Sequence, residues 1–119
     1  MIAYLSIGTN TNHRANIEAA LNLLRQQVTV TAVSDIHEFA DHRGGALVYW
    51  NLAVAIETDL TQEALKRDVL RQIERTLGRD RSSELVTIDL DIVMFDGKST
   101  PDIELDHVAI PLAEIMPSS

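Results

Sequence analysis

From Ile2 to Gly8 the chain alternates, with Ala3, Leu5 and Ile7 on one side and Tyr4, Ser6 and Gly8 on the other, a period of two that predicts a strand with one covered face. The run Gly8-Thr9-Asn10-Thr11-Asn12 ends it. Between Arg14 and Gln27 the apolar positions shift to Ile17, Ala20, Leu21 and Leu24, the spacing of an amphipathic helix, with Asn12 as its expected N-cap. Val and Thr dominate Thr29 to Phe39 and predict a second strand, followed by a loop at Asp41-His42-Arg43-Gly44-Gly45. Leu47 to Thr58 has the strongest alternation of all. Val48, Trp50, Leu52, Val54 and Ile56 share one side, which reads as core, and Tyr49, Asn51, Ala53, Ala55 and Glu57 share the other.

Thr61 is placed to cap a second helix, with Leu60 and Leu65 as a hydrophobic staple and Leu65, Val69, Ile73 and Leu77 recurring every four residues up to a glycine stop at Gly78. Val86 to Phe95 predicts a last strand, with Ile88, Leu90, Ile92 and Met94 against Thr87, Asp89, Asp91, Val93 and Phe95. Asp96-Gly97 turns the chain, and the remainder, with all three prolines, reads as an irregular tail. Strand, helix, strand, strand, helix, strand is the order of an α+β ferredoxin-like sandwich, in which two helices cover one face of an antiparallel sheet. If the apolar rows meet the helices, the open face displays Tyr4, Ser6 and Gly8, then Tyr49 and Asn51, then Asp89 and Asp91.

Composition narrows the chemistry. A length of 119 residues predicts one domain over 1–119, and 45% hydrophobic with 24% charged residues is the balance of a folding chain. Without cysteine there is no disulfide, thiolate metal site or cysteine nucleophile. Eighteen acidic against ten basic residues, a net charge of −8, are the wrong sign for a nucleic-acid partner. A small polyanion stays open, because a divalent cation inverts the local field of a carboxylate cluster. No apolar run approaches the roughly 18 residues of a membrane helix, and the N-terminus lacks a basic segment before an apolar one, so a cytoplasmic location away from membranes is expected.

Asp89 and Asp91, two apart on a strand, point the same way with Cα atoms roughly 6.5 Å apart. Two convergent carboxylates attract divalent metal, and magnesium takes one or two carboxylates together with substrate phosphates. A bare Asp-x-Asp is more often a solvated face, but like charges side by side on an apolar strand repel, and such a cost usually has a reason. Arg79 and Arg81, on the loop leading to this strand, suit a transferring phosphate or simply a helix C-terminus. Asn51, polar on an apolar strand, must find partners and suits a heterocycle with an amide edge. His13, His37 and His42 have no paired metal spacing.

Five segments together resemble the 6-hydroxymethyl-7,8-dihydropterin pyrophosphokinase family: Tyr4-Leu5-Ser6-Ile7-Gly8-Thr9-Asn10 with Arg14 and Asn16; Tyr49-Trp50-Asn51; Ile73-Glu74 with Leu77-Gly78-Arg79-Asp80-Arg81; Ile88-Asp89-Leu90-Asp91-Ile92; and Pro111-Leu112-Ala113-Glu114-Ile115-Met116-Pro117. The resemblance implies a ferredoxin-like fold, ATP as co-substrate and two Mg²⁺ ions, with pyrophosphate passing from ATP to the pterin in folate biosynthesis. It assigns Asp89 and Asp91 to metal, Arg79 and Arg81 to catalysis at the triphosphate, and Gly8, Tyr49 and Asn51 to the pterin. Glu74, Arg81 and His107 fall on the nucleotide side. The chain departs from the family pattern in a shorter loop before Asp89, with Val86 where the family has an arginine, and in a shorter tail without the family's Arg and stacking Phe. These departures leave two other readings: a non-catalytic homologue binding a nucleotide or pterin as a sensor or partner domain, and an interaction module similar in fold alone.

Overall fold

The structure is a computed structural model and describes residues 1–41 and 44–117. His42 and Arg43, in the expected loop, lie outside the described residues. The order is β1 (Ile2–Thr9), α1 (His13–Gln27), β2 (Thr29–Val33), β3 (His37–Ala40), β4 (Val48–Glu57), a helix α2 over 62–76, β5 (Asp89–Phe95), β6 (Lys98–Ser99), a 3-10 turn (Pro101–Glu104) and α3 (Asp106–Ala113). One antiparallel sheet runs β2-β4-β1-β5-β6, and β3 also pairs with β4. With α1 and α2 packed on one face, this is the ferredoxin-like α+β arrangement the alternation predicted.

The covered face holds Leu5, Ile7, Leu52, Val54, Ile56 and Leu90 against Ile17, Ala20 and Leu24 of α1 and Leu65, Val69, Leu70 and Ile73 of α2. α2 is α-helical at Gln62–Ala64, π-helical at Leu65–Leu70 and α-helical again at Arg71–Thr76. A π turn holds more residues than an α turn, so it absorbs the drift of an apolar repeat of four and keeps Leu65, Val69 and Ile73 on the core. The Thr61 hydroxyl accepts from the Ala64 amide at 3.1 Å, and Gly78 takes φ +78° just past the helix end.

Five expectations change. Thr29 to Phe39 is not one strand: Ser34 interrupts it, its hydroxyl accepting from the Ala53 amide at 2.8 Å. Asn12 sits before α1 in left-handed backbone (φ 42°) and makes no side-chain cap. Pairing on β5 shifts register at Tyr4/Leu5, and this bulge turns Phe95 to the helix-covered core and Met94 to the opposite face, reversing their expected sides. The tail is not irregular: α3 packs Val108 and Leu112 on Tyr4, Ala53, Ala55 and Val93, covering part of the open face. Trp50, expected as plain core, is half-buried, with the Arg14 guanidinium 5.7 Å from its ring centre and the His13 ring at 4.9 Å. Among the described residues no helix is long and apolar enough to cross a membrane.

Candidate active site

Strand register builds the floor of the site. On β1, Gly8 lies between Asn51 of β4 and Asp89 of β5, and Ser6 lies between Ala53 and Asp91. Directly paired residues share a face, so amide, hydroxyl and carboxylates form two adjacent rows on the face away from α1 and α2. Gly8 is needed here: a Cβ on it would stand 2.6 Å from Asn51 Nδ2. Asn51 is buried, and its Oδ1 has no hydrogen-bond partner among the described residues. A buried amide oxygen left open in this way is an acceptor waiting for a donor.

A cleft of about 220 Å³ stands over this floor. Tyr49, Asn51, Arg79, Asp89, Asp91 and His107 line it. The Arg79 Nε is buried without an acceptor among the described residues, while its Nη1 donates to the Asp80 carbonyl at 3.2 Å. Val86 lines the same cleft, 5% exposed. Its backbone is fixed from three sides: the Val86 amide donates to Asn10 Oδ1 at 2.7 Å, and its carbonyl accepts from the Asn10 amide at 3.0 Å and the Thr9 hydroxyl at 3.1 Å. These bonds explain why β5 begins three residues later than the expected Val86. The segment before Asp89 is anchored by side chains and turns rather than by the ladder.

Phe39 comes into the cleft from β3, where it pairs with Tyr49, and stands edge-on to His107 at 6.4 Å. β3 and the chain after α3 are tied together: Glu114 forms an ion pair with His37, and its Oε1 accepts from the Asp35 amide at 2.9 Å. The Asp35 amide, then His37, hold the Glu114 carboxyl below its ordinary pKa.

Behind the acidic strand, Glu74 is 2% exposed and both its oxygens are engaged. Oε1 accepts from Arg81 Nη2 at 2.7 Å, and Oε2 from Arg71 Nη1 and from the Leu90 amide, both at 2.9 Å. This buried charge is compensated on every side, the condition under which a carboxylate is tolerated there. Asp91 is less well served. Its side chain is 46% accessible and lines the cleft beside Asp89. Desolvation first, and then the adjacent Asp89, push its carboxyl up to about 7, with Arg71, 3.9 Å away, opposing.

Of the residues singled out in the sequence, Gly8, Tyr49, Asn51, Arg79, Asp89, Asp91 and His107 therefore come together in one cleft. Glu74 and Arg81 do not line it. They pair with each other beside β5, so Glu74 reaches the site through the arginines it holds. Sequence reading missed Phe39 and Arg71. Phe39 is visible only through strand register, whereas Arg71 carried a signal, the i, i+3 spacing to Glu74 on a helix. Among the described residues no group of three or more His, Asp or Glu could hold a metal ion. Two carboxylates with open positions fit magnesium completed by substrate phosphates. The family model for 7,8-dihydro-6-hydroxymethylpterin-pyrophosphokinase matches residues 4–117, and no curated protein matches the chain.

Proposed function

Because the chain belongs to the 7,8-dihydro-6-hydroxymethylpterin-pyrophosphokinase family, we propose that it transfers pyrophosphate from ATP to 6-hydroxymethyl-7,8-dihydropterin, a step of folate biosynthesis. The observation that carries this reading is the row Asn51–Gly8–Asp89 across three strands, in which an amide oxygen without a partner among the described residues and a pair of carboxylates flank Gly8 on one face. Asn51 offers both an acceptor and a donor to the amide edge of a pterin, and Tyr49 adds an aromatic wall. Asp89 and Asp91 would hold the two Mg²⁺ ions, which neutralise polyphosphate charge when bound.

In the reaction the pterin hydroxymethyl oxygen forms a bond to the β-phosphorus of ATP. The bond from that phosphorus to the α,β-bridging oxygen breaks, AMP leaves with the electron pair, and the hydroxyl proton goes to water. Arg79 lines the cleft, its Nε without an acceptor among the described residues, and meets the charge that gathers on the transferred group. The chain's own contribution is mostly placement: a floor set by strand register, an arginine lining the cleft and a wall from His107 and Val108 of α3.

A second reading, a binding-only homologue, is favoured by two observations. Val86 puts an isopropyl group into the cleft, and Arg81 is tied to Glu74 rather than free to reach a ligand. An AMP-release assay with Mg-ATP and the pterin separates the two. Pyrophosphokinase action gives one AMP per pterin pyrophosphate and loses it in Asp89→Ala. Calorimetric binding of both ligands without AMP release establishes the binding-only protein instead.

A further inference from the structure

A second cavity, about 210 Å³, adjoins the cleft and shares Asp91 and Asp102 with it. Its remaining polar lining is the Gln62 amide, the cations Lys66 and Arg71, all three from α2, and Thr100, whose Oγ1 is buried without a partner among the described residues. Arg71 is unusual in how it is held. Its Nη1 donates both to Glu74 Oε2 at 2.9 Å and to the Leu90 carbonyl at 3.1 Å, one a buried charge and the other the backbone between the two aspartates. Nη2 makes no hydrogen bond among the described residues. It stands 3.9 Å from Asp91 Oδ1, too far for one.

A planar guanidinium tied at one nitrogen to two rigid acceptors has its other nitrogen aimed in advance. Fixing it costs a ligand little orientational entropy. The charges also select what enters. Asp91 and Asp102 repel a bare polyanion, whereas a polyphosphate carrying magnesium matches cations on one wall and carboxylates on the other.

We propose that Arg71 contacts the nucleotide's polyphosphate, with Nη2 donating to a phosphoryl oxygen of the magnesium-bound chain beside Asp91, and that Glu74 is the positioning residue that aims it. The inference rests on the pyrophosphokinase reading of the cleft and adds a residue to it. Arg71 then distinguishes ligands by their phosphates, and Lys66, exposed on the same wall, contributes less.

The test uses the full chain and two probes, a non-hydrolysable Mg-ATP analogue and Mg-tripolyphosphate, titrated calorimetrically, with the pterin as reference ligand. Arg71→Gln should raise Kd for both probes roughly tenfold or more and leave the pterin Kd unchanged. Glu74→Gln should give a rise in the same direction, and the double variant should lose little beyond Arg71→Gln alone, because both changes act on one contact. Lys66→Gln should lose less than Arg71→Gln. Should Arg71→Gln not fold, Arg71→Lys decides, since an ammonium cannot hold Glu74, the Leu90 carbonyl and a phosphate from one fixed fork. A purely structural role would weaken pterin and nucleotide binding together. A wild-type protein that binds the probes, with a folded Arg71 variant binding them equally well, overturns the inference and leaves the cleft assignment standing. A wild-type protein that binds neither probe overturns both.

Discussion

The raised Asp91 carboxyl makes the site a source of instability in the absence of ligand, and Asp91→Asn should show by how much. In the unfolded chain this group titrates near 3.8, whereas in the fold it holds its proton up to about 7. Below 3.8 both states are protonated and the difference costs nothing. As pH rises from about 4 to about 7 the unfolded state releases the proton first, so this group's contribution to stability falls, and above 7 the loss is complete. At about 1.4 kcal/mol per tenfold in the proton equilibrium, an unscreened group would lose roughly 4 kcal/mol. Solvent reaches nearly half of the side chain, and screening reduces the figure to roughly 1–2 kcal/mol. Asparagine cannot ionise, and it leaves the Glu74–Arg71 pair and the Leu90 bonds in place. Thermal denaturation without metal, from about pH 4 to 8, should show Asp91→Asn gaining stability on the wild type as pH rises, then holding that gain. For a chain of this length about 1 kcal/mol moves the midpoint by roughly 4 °C. With Mg²⁺ and an ATP analogue the order should reverse, because only the wild type is stabilised by ligand. A constant offset across the whole range, or no offset at the alkaline end, would refute the assignment of the strain to Asp91.

The same geometry sets other expectations. Asn51→Leu should abolish pterin binding while Mg-nucleotide affinity survives, as measured by calorimetry; equal loss of both would mean that the sheet itself had been disturbed. Gly8→Ala should resemble Asn51→Leu, since its methyl displaces the Asn51 amide, and crystals of the variant should show that amide moved. Thr61→Ala removes the acceptor for the Ala64 amide and should cost about 1 kcal/mol in urea denaturation with no effect on ligand binding. Replacing the loop before Asp89 with the family's longer, arginine-bearing one should raise turnover strongly with little change in ATP affinity, because an added arginine acts on developing charge. Rapid AMP release by the natural sequence would show that Val86 is no handicap.

The elements that sequence reading located well are those whose signal is local. Period-two alternation placed β1 and β4, the spacing of Ile17, Ala20 and Leu24 placed α1, and Thr61 and Gly78 marked the ends of α2, because propensity, capping and one-sided burial act within a few residues. The same alternation put Gly8, Asn51, Asp89 and Asp91 on one face before any neighbour was known. Contact between distant segments lay beyond it. That α3 closes over Tyr4 and Ala53 depends on a surface assembled from three strands. That Phe39 stands by Tyr49 depends on the register of β3, set after the break at Ser34. The side on which Phe95 and Met94 fall depends on one bulge. Glu74 is the plainest case. The family resemblance puts it on the nucleotide side, and the fold shows how it is held: buried and bound by Arg71, Arg81 and the Leu90 amide. Its role is set by which groups come within hydrogen-bonding reach once the helix has packed against the strand. The sequence by itself thus determined which residues of an unbroken strand or helix share a face, because that follows from regular backbone geometry; where a bulge breaks the alternation, which residues meet, and which charge is left uncompensated, only the tertiary structure decided, because pairing, hydrogen bonds and desolvation depend on groups brought together from far apart in the chain.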